Sequence, residues 1–297
     1  MAPLTRRVLL VVNPASRHGL RNRTAALNAF RDAGVTVDEL VTEHPGHASS
    51  RLRDGPERAD AVFVLGGDGI VMEVAGALQG TGVPIGVLPG GTGNLVAGVL
   101  RVPRRMARAV PILLAGSVRR LDLGRLPDGR CFAFAAGIGV DVDMVLGTTR
   151  GQKKLLGILA YAITATRSAF RRRAFDIRAE VDGNVVTGRV VMAMVANAGA
   201  LFGGRLLVGP DIRPDDGELD LCLFSATTIG EVLGITWRIV RRDFRPHPRM
   251  RFLRGKRIKL SSEPQTAVQA DGDLAGMTPV EIVVVPGAAA FLIPRES

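Results

Sequence analysis

Several residue types are scarce in this sequence. Cys131 and Cys222 are the two cysteines, and neither belongs to a Cys or Cys/His spacing that holds zinc. This scarcity favours a reducing cytoplasm. No uninterrupted apolar stretch approaches the roughly 20 residues of a membrane span, so we expect any membrane contact to be peripheral. Aromatic residues make up 4% of the chain, which leaves few surfaces for stacking nucleic acid bases and argues against nucleic acid as a partner.

Arginine, in contrast, is abundant. The 297 residues carry a formal net charge of +11, which attracts nucleotides, nucleic acids or acidic lipid headgroups without distinguishing among them. One basic and partly apolar segment covers residues 153–173, and a second group of arginines lies at 238–251. Each segment is either a surface for anionic lipid or a packed helix with solvated ends.

Two patterns divide the chain near residue 120. Before it, short apolar runs alternate with helical ones, which predicts an α/β domain with a parallel sheet covered on both faces. The helices expected there cover 24–33, 71–78 and 104–115. After it, apolar residues alternate from Phe175 to Val181 before a turn at Asp182-Gly183-Asn184, and further short strands surround one helix at 227–241. We predict an α/β domain at 1–120 and an antiparallel β-sandwich at 121–297.

Three turn-forming loops follow predicted strands of the first domain. They are Asn13-Pro14-Ala15-Ser16, Gly66-Gly67-Asp68-Gly69 and Pro89-Gly90-Gly91-Thr92-Gly93-Asn94. Ligands of open α/β sheets bind at the carboxyl ends of strands, and glycine lets phosphate approach the backbone amides. A single loop of this kind is more often a plain turn, but three together predict a phosphate site. We expect the glycine turn to expose Asp68, whose carboxylate would either reach phosphate through Mg²⁺ or a lysine-like group, or cap a helix.

Two acidic turns lie in the second half. Asp211 to Asp220 includes five carboxylates, which would hold Mg²⁺ or form a solvated turn. Gln269-Ala270-Asp271-Gly272-Asp273 places two carboxylates around a glycine. It is either a plain turn or the position of the base that deprotonates an acceptor hydroxyl in phosphoryl transfer.

These motifs occur in the order found in a known family. With Val12-Asn13-Pro14, Glu73 after the Gly66 loop, and Asp215-Asp216-Gly217, the chain resembles the bacterial diacylglycerol kinase and sphingoid long-chain-base kinase family over almost its whole length. The resemblance implies ATP and Mg²⁺ as cofactors, a site between the domains, a last segment that returns to the first domain, and a lipid substrate at a membrane surface. A homodimer is left open.

Residue roles follow from the same resemblance. Asp273 matches the catalytic base, Asp271 would support it, and Asp68 would join the phosphate network. Mg²⁺ would bind Asp216 and the carbonyls of Arg213 and Glu218. The positions implied for ATP are Asn13, Thr42, Gly66, Gly67, Asp68, Gly69, Ile70, Val71, Met72, Glu73, Gly91, Thr92 and Asn94.

The chain also departs from the family pattern. Ile70 stands where the family has threonine, Met72 where it has asparagine, and Asp273 where many members have glutamate. Nucleotide contacts at 70–72 are therefore expected from the backbone only. The favoured function is an ATP-dependent diacylglycerol kinase. The alternatives are a kinase of sphingoid bases or other lipid alcohols, a soluble-substrate kinase resembling the NAD kinases, and a catalytically silent nucleotide- or lipid-binding regulator.

Overall fold

The computed structural model describes residues 6–53, 55–56, 59–139, 174–201, 206–226 and 228–295. They form two units. One contains the described residues up to Leu123 and those from Pro286 onward, and the other contains the described residues between Gly124 and Val285. The basic segment 153–173 lies outside the described residues, so its role as a lipid surface or a packed helix stays a prediction.

The first unit contains a parallel sheet with the strand order β2-β1-β3-β4. The strands are β1 Arg7–Val12, β2 Thr36–Val41, β3 Ala61–Gly66 and β4 Ile85–Pro89. Every residue of β3 and β4 is buried, as expected when helices cover both faces of a parallel sheet. The order places the carboxyl ends of β1, β3 and β4 side by side.

Helices connect these strands. Those described in the first unit are α1 Gly19–Asp32, α2 His47–Leu52, α3 Asp68–Ala77, α4 Leu95–Val99 and α5 Met106–Leu114. Helix α1 packs on the sheet through Phe30, whose ring meets that of Phe63 edge-on at a centroid distance of 4.8 Å. Helices α1 and α3 begin several residues earlier than the apolar pattern indicated. Their first turns contain glycine and polar residues, which the hydrophobic periodicity does not detect.

The second unit is an antiparallel β-sandwich. The remaining strands among the described residues are β5 Ser117–Arg125, β6 Cys131–Phe132, β7 Ala135–Gly139, β8 Phe175–Val181, β9 Asn184–Val190, β10 Met192–Ala196, β11 Ala200–Leu201, β12 Leu206–Leu207, β13 Leu219–Phe224, β14 Met250–Gly255, β15 Arg257–Glu263, β16 Ala267–Ala270, β17 Asp273–Met277 and β18 Val280–Ile293. One sheet of the sandwich has the order β18-β15-β8-β9 and the other β14-β13-β10-β7-β16-β17. Helix α6 covers Ile229–Val240.

The hairpin between β8 and β9 matches its sequence pattern. Alternate residues of β8 are buried, and Asp182 and Gly183 both have positive φ, at 47° and 89°. Two central residues with positive φ suit the right-handed twist of a tight hairpin. The predicted strand and its hairpin turn are therefore confirmed.

Side chains from both sheets form the core of the sandwich, with Phe132, Ile138, Leu221 and Ile258 fully buried. The fold class is confirmed, with an α/β domain followed by an antiparallel β-sandwich. Strand β18 runs well beyond the expected end at residue 285, and its Phe291 pairs in parallel with Ile85 of β4. None of the helices in the described ranges is long and apolar enough to cross a membrane.

Candidate functional site

The glycine-containing loops of the first unit touch one another through their backbones. The amide of Gly90 donates to the carbonyl of Gly66 at 2.8 Å. A Cβ added to Gly90 would lie 3.0 Å from the nitrogen of Gly66, and one added to Gly91 would lie 2.5 Å from the Cα of Gly67. Because the facing atoms belong to the backbone, no side-chain rotation relieves these contacts. Glycine is therefore required by the spacing of the two loops.

The loop after β1 joins this group. The amide of Asn13 donates to the carbonyl of Leu65 at 3.1 Å, and the amide of His18 donates to the carbonyl of Gly90 at 2.8 Å. The side-chain Oδ1 of Asn13 accepts the amide of Ala15 at 2.9 Å, which closes a local turn. The structure thus brings the three loops together, as the sequence predicted from their positions after the strands.

Thr42 follows β2 and is buried. Its amide and its hydroxyl both point to the carbonyl of Val12, at 2.9 Å and 3.4 Å. This residue holds the carboxyl end of β1, so in the structure it supports the loop that begins at Asn13.

Asp68 is not the exposed carboxylate that its glycine turn suggested. It lies in the first turn of α3, and its Oδ1 accepts the amide of Val96 in α4 at 2.9 Å. The amides of Asn94 and Leu95 also bind it. Burial raises the pKa of Asp68, and these amide hydrogen bonds oppose that rise. The expected exposure is wrong because the first turn of a neighbouring helix covers the carboxylate.

The loop after β4 is closed by its own asparagine. The Oδ1 of Asn94 accepts the amide of Gly91 at 2.8 Å, and its Nδ2 donates to the carbonyl of Gly91 at 2.9 Å. Asn94 has a φ of 51°, a left-handed conformation that asparagine tolerates better than most residues. Thr92 lies between them and is exposed. The loop therefore presents Thr92 to solvent on a turn of fixed shape.

The residues after Gly69 point into the first unit. Ile70, Val71 and Met72 are all buried, and the Cγ2 of Ile70 lies 2.3 Å from where a Cβ on Gly66 would stand. The position at which the family has threonine thus carries a side chain that packs under the loop. Glu73 accepts the amide of Ser49 through its Oε1 at 3.0 Å, which connects α3 to α2.

Asp271 and Asp273 have different environments in the second unit. The carboxylate of Asp271 accepts the amides of Ala133, Phe134 and Ala135 at 2.8, 3.0 and 3.0 Å. Asp273 begins β17 and is exposed. Of this pair, Asp271 shapes the turn before β7, whereas Asp273 has the access to solvent that a proton acceptor for a substrate needs.

The acidic turn before β13 contains an arginine that sequence reasoning missed. Arg254 binds the carboxylate of Asp220 at 3.1 Å and the carbonyl of Asp211 at 2.7 Å, and its guanidinium lies 3.6 Å from the Oδ2 of Asp216 and 3.8 Å from Glu218. Asp220 and Arg254 face each other across β13 and β14. Pairing these two strands by sequence would have revealed the contact.

Part of this turn still fits Mg²⁺. The Oδ2 of Asp216 is buried without a hydrogen-bond donor among the described residues, and the Oδ1 accepts the amide of Glu218 at 3.2 Å. No group of three His, Cys, Asp or Glu side chains in the described part of the chain is arranged to hold a metal. The ligands that the family resemblance implies for Mg²⁺ need no such group, because they are one carboxylate, that of Asp216, and the carbonyls of Arg213 and Glu218. Carboxylate and carbonyl oxygens are ligands that Mg²⁺ accepts.

Comparisons with known proteins cover both units. Residues 7–126 match the diacylglycerol kinase catalytic domain, and residues 135–293 match the YegS C-terminal NAD kinase beta sandwich-like domain. The chain is similar to a crystal structure of a provisionally assigned diacylglycerol kinase from Bacillus anthracis str. Sterne, with a TM-score of 0.80 and 25% identity over 98% of each chain.

Two relatives complete the comparison. The uncharacterized protein sll0036 from Synechocystis is 26% identical over 89% of this chain, which spans 63% of the length of that relative. A diacylglycerol kinase from Mycobacterium tuberculosis is 30% identical over 97% of this chain and 96% of its own length. With matches across both units and the site motifs in order, the chain belongs to the bacterial diacylglycerol kinase family.

Proposed function

We propose that the chain transfers the γ-phosphoryl group of ATP to the hydroxyl of a lipid, with diacylglycerol as the favoured acceptor and phosphatidic acid as the product. The observation that carries the proposal is the backbone contact between the Gly66-Gly67 and Gly90-Gly91 loops. Loops without β-carbons at the carboxyl ends of parallel strands allow phosphate oxygens to reach backbone amides. The family kinship supports phosphate transfer as the chemistry.

Helix α3 adds a favourable field at this point. Its N-cap is Gly67, which has no side chain to cap the first amides. The N-terminus of a helix attracts anions through these amides and through its dipole. We therefore expect the nucleotide phosphates to lie over the start of α3, with Thr92 at the edge of the same group of loops.

The second unit would supply the acceptor side. We assign Asp273 the role of proton acceptor for the lipid hydroxyl, and the exposure of its carboxylate supports this assignment. Asp271 is a positioning residue, since it binds backbone amides. Asp216 and the carbonyls of Arg213 and Glu218 would hold Mg²⁺. Divalent cations in phosphoryl transfer neutralise charge on the phosphates when bound. A cytoplasmic chain in peripheral contact with a membrane would meet both substrates.

A lipid-kinase assay tests the proposal. The protein is incubated with γ-labelled ATP and Mg²⁺ in mixed micelles containing diacylglycerol, a sphingoid base or another lipid alcohol. We expect labelled phosphatidic acid, and at least a hundredfold slower labelling in Asp273→Asn, since a general base typically contributes 10² to 10⁴ in rate. Asp32→Asn, an exposed carboxylate on α1, is the matched control and should behave as the parent chain.

The same assay separates the other candidates. The likeness of the second unit to an NAD kinase beta sandwich-like domain makes NAD a necessary addition to the panel, and labelled NADP without labelled lipid would replace the proposal. ATP binding by a folded chain that labels no acceptor would favour a silent regulator. Unchanged turnover in Asp273→Asn would remove that residue from the role of base.

A further inference from the structure

Helix α6 presents an apolar stripe to solvent. Leu233, Trp237 and Val240 are 54%, 57% and 47% exposed, and their spacing of four and three residues places them on one face of the helix. Gly230 and Gly234 are exposed on the same face, so the large side chains project above their surroundings. We call the three large residues the α6 stripe. Exposed apolar groups that cluster in this way mark interaction surfaces.

The α6 stripe is not needed to hold the helix in place. The opposite face carries Ile235, which is buried, and Val232 and Ile239, which are half-buried. The helix start is fixed by a capping box, in which the side chain of Thr228 accepts the amide of Glu231 and the side chain of Glu231 accepts the amide of Thr228. The helix is thus packed and capped without any contribution from the stripe.

Arginines surround the C-terminal end of the stripe. The guanidinium of Arg241 lies 4.6 Å from the centre of the Trp237 ring, and Arg242 and Arg245 are exposed just beyond it. Among the residues that the structure describes, the two carboxylates on or next to α6 have arginine partners. Asp243 pairs with Arg238 and Arg245, and Glu231 pairs with Arg249. The rim of the stripe is therefore positively charged.

We propose that the α6 stripe docks on the surface of an anionic lipid bilayer, with the arginine rim at the headgroups. A tryptophan that belongs to an apolar stripe and also contacts its charged rim matches the membrane interface, which favours the amphipathic indole ring. Basic residues around an apolar helical face attract anionic lipids. The inference rests on the proposed function only in the expectation that a lipid acceptor is met at such a surface.

A second copy of the chain fits the stripe less well. In a two-fold symmetric dimer each patch meets its own copy, so the rims containing Arg241 and Arg242 would face each other with like charge. Stable dimers also bury about 800 Å² on each partner, and three large side chains provide only part of such an area. An acidic membrane surface satisfies both the apolar stripe and its rim.

Tryptophan fluorescence tests the docking directly, because Trp237 is the single tryptophan of the chain. The full chain, without nucleotide, is titrated with vesicles of phosphatidylcholine alone and of equal parts phosphatidylcholine and phosphatidylglycerol. We expect the anionic vesicles to shift the emission to shorter wavelength and bromine-labelled lipid to quench it. Leu233→Ser should weaken vesicle binding roughly tenfold, which is the loss of affinity expected when one aliphatic side chain is no longer half-buried in the bilayer.

Matched controls distinguish the stripe from general effects. Val185→Ser alters an equally exposed valine on β9 and should bind as the parent chain. Arg241→Gln should weaken binding to anionic vesicles, and Arg31→Gln, an exposed arginine of α1, should not. Thermal unfolding of each variant verifies that it is folded.

Three results would overturn the proposal. They are absence of binding to anionic vesicles, binding that leaves the emission of Trp237 and the affinity of Leu233→Ser unchanged, and a concentration-dependent dimer, without lipid, that Leu233→Ser abolishes. Failure of the kinase assay is a separate outcome, because vesicle binding is measured without ATP. Leu233→Ser should still label lipid in detergent micelles, where no bilayer is required.

Discussion

Replacement of Asp271 by asparagine should destabilise the second unit. The Oδ1 of Asp271 accepts two amides and the Oδ2 accepts one. An asparagine can keep its oxygen at the amides of Phe134 and Ala135. Its NH₂ group then faces the amide of Ala133, so two donors meet and one hydrogen bond is lost. A hydrogen bond to a charged group contributes about 1.5 to 3 kcal/mol, and we expect a loss of free energy of unfolding in that range.

The backbone does not confound this substitution. Asp271 has a φ of 46°, a left-handed conformation in which asparagine is at least as favourable as aspartate. The measured loss therefore reports the interactions of the side chain and not a change in backbone strain. Guanidinium unfolding followed by circular dichroism gives the change, and thermal unfolding should shift by roughly 2 to 4 °C for each kcal/mol.

Asp273→Asn is the control for this reasoning. It changes the same chemical group two residues away at an exposed position, so we expect unchanged stability and lost turnover. The reasoning would be refuted if Asp271→Asn unfolded at the same denaturant concentration as the parent chain. It would also be refuted if Asp273→Asn were the less stable of the two variants.

Three further predictions follow from other contacts. Gly91→Ala should abolish nucleotide binding and destabilise the first unit by about 1 to 3 kcal/mol, because its Cβ would stand 2.5 Å from a backbone atom of the neighbouring loop. Gly76→Ala, in an open part of α3, is the control and should be neutral or stabilising. Equal stabilities of the two variants would contradict the geometry. Saturating Mg²⁺ should stabilise the parent chain and raise its unfolding temperature, and the stabilisation is about 2.7 kcal/mol at a hundred times the dissociation constant. EDTA should reverse the rise in unfolding temperature, and a rise that persists in Asp216→Ala would place the ion elsewhere. A hydrogen bond from the Arg245 side chain, together with the Arg245 amide and the charge of Arg238, lowers the pKa of Asp243 from 3.8 to about 2, so the stability that these contacts add is present above the unfolded value and is lost as pH falls towards 2. A carboxyl-carbon NMR titration should show that the pKa of Asp243 is higher in Arg245→Ala than in the parent chain. A pKa of Asp243 already near 4 in the parent chain would exclude the pairing with Arg245.

Local patterns carried most of the fold. The apolar runs of β1, β3 and β4 predicted buried parallel strands, and the alternation before Asp182 predicted a hairpin with the observed turn. In these elements the period of the side chains decides burial, and a window of a few residues contains that period. Helix starts such as Asp68 were less accurate, because a first turn that begins with glycine or polar residues gives little periodic signal.

Contacts between residues that are far apart in the sequence could not be predicted from local patterns. Asp271 and Ala133 are 138 residues apart, and Asp220 and Arg254 are 34 apart. Each pair depends on which strands lie next to each other, and a carboxylate that binds backbone amides has the same sequence appearance as one that faces solvent. For this reason the motif identified Asp68, Asp271 and Asp273 as a group, and only the structure separated their environments.

The contact between the Gly66-Gly67 and Gly90-Gly91 loops limits how this protein can evolve. A wall made of backbone atoms has no side chains that mutation can vary, and a Cβ added at Gly90 or Gly91 would lie 3.0 or 2.5 Å from backbone atoms of the facing loop. If the loops bind nucleotide phosphates as proposed, preference for one nucleotide over another would have to be adjusted at neighbouring positions that do carry side chains, such as the exposed Thr92. The part of the proposed site closest to the phosphates would then be the part least open to gradual change, and variation among relatives should accumulate around it.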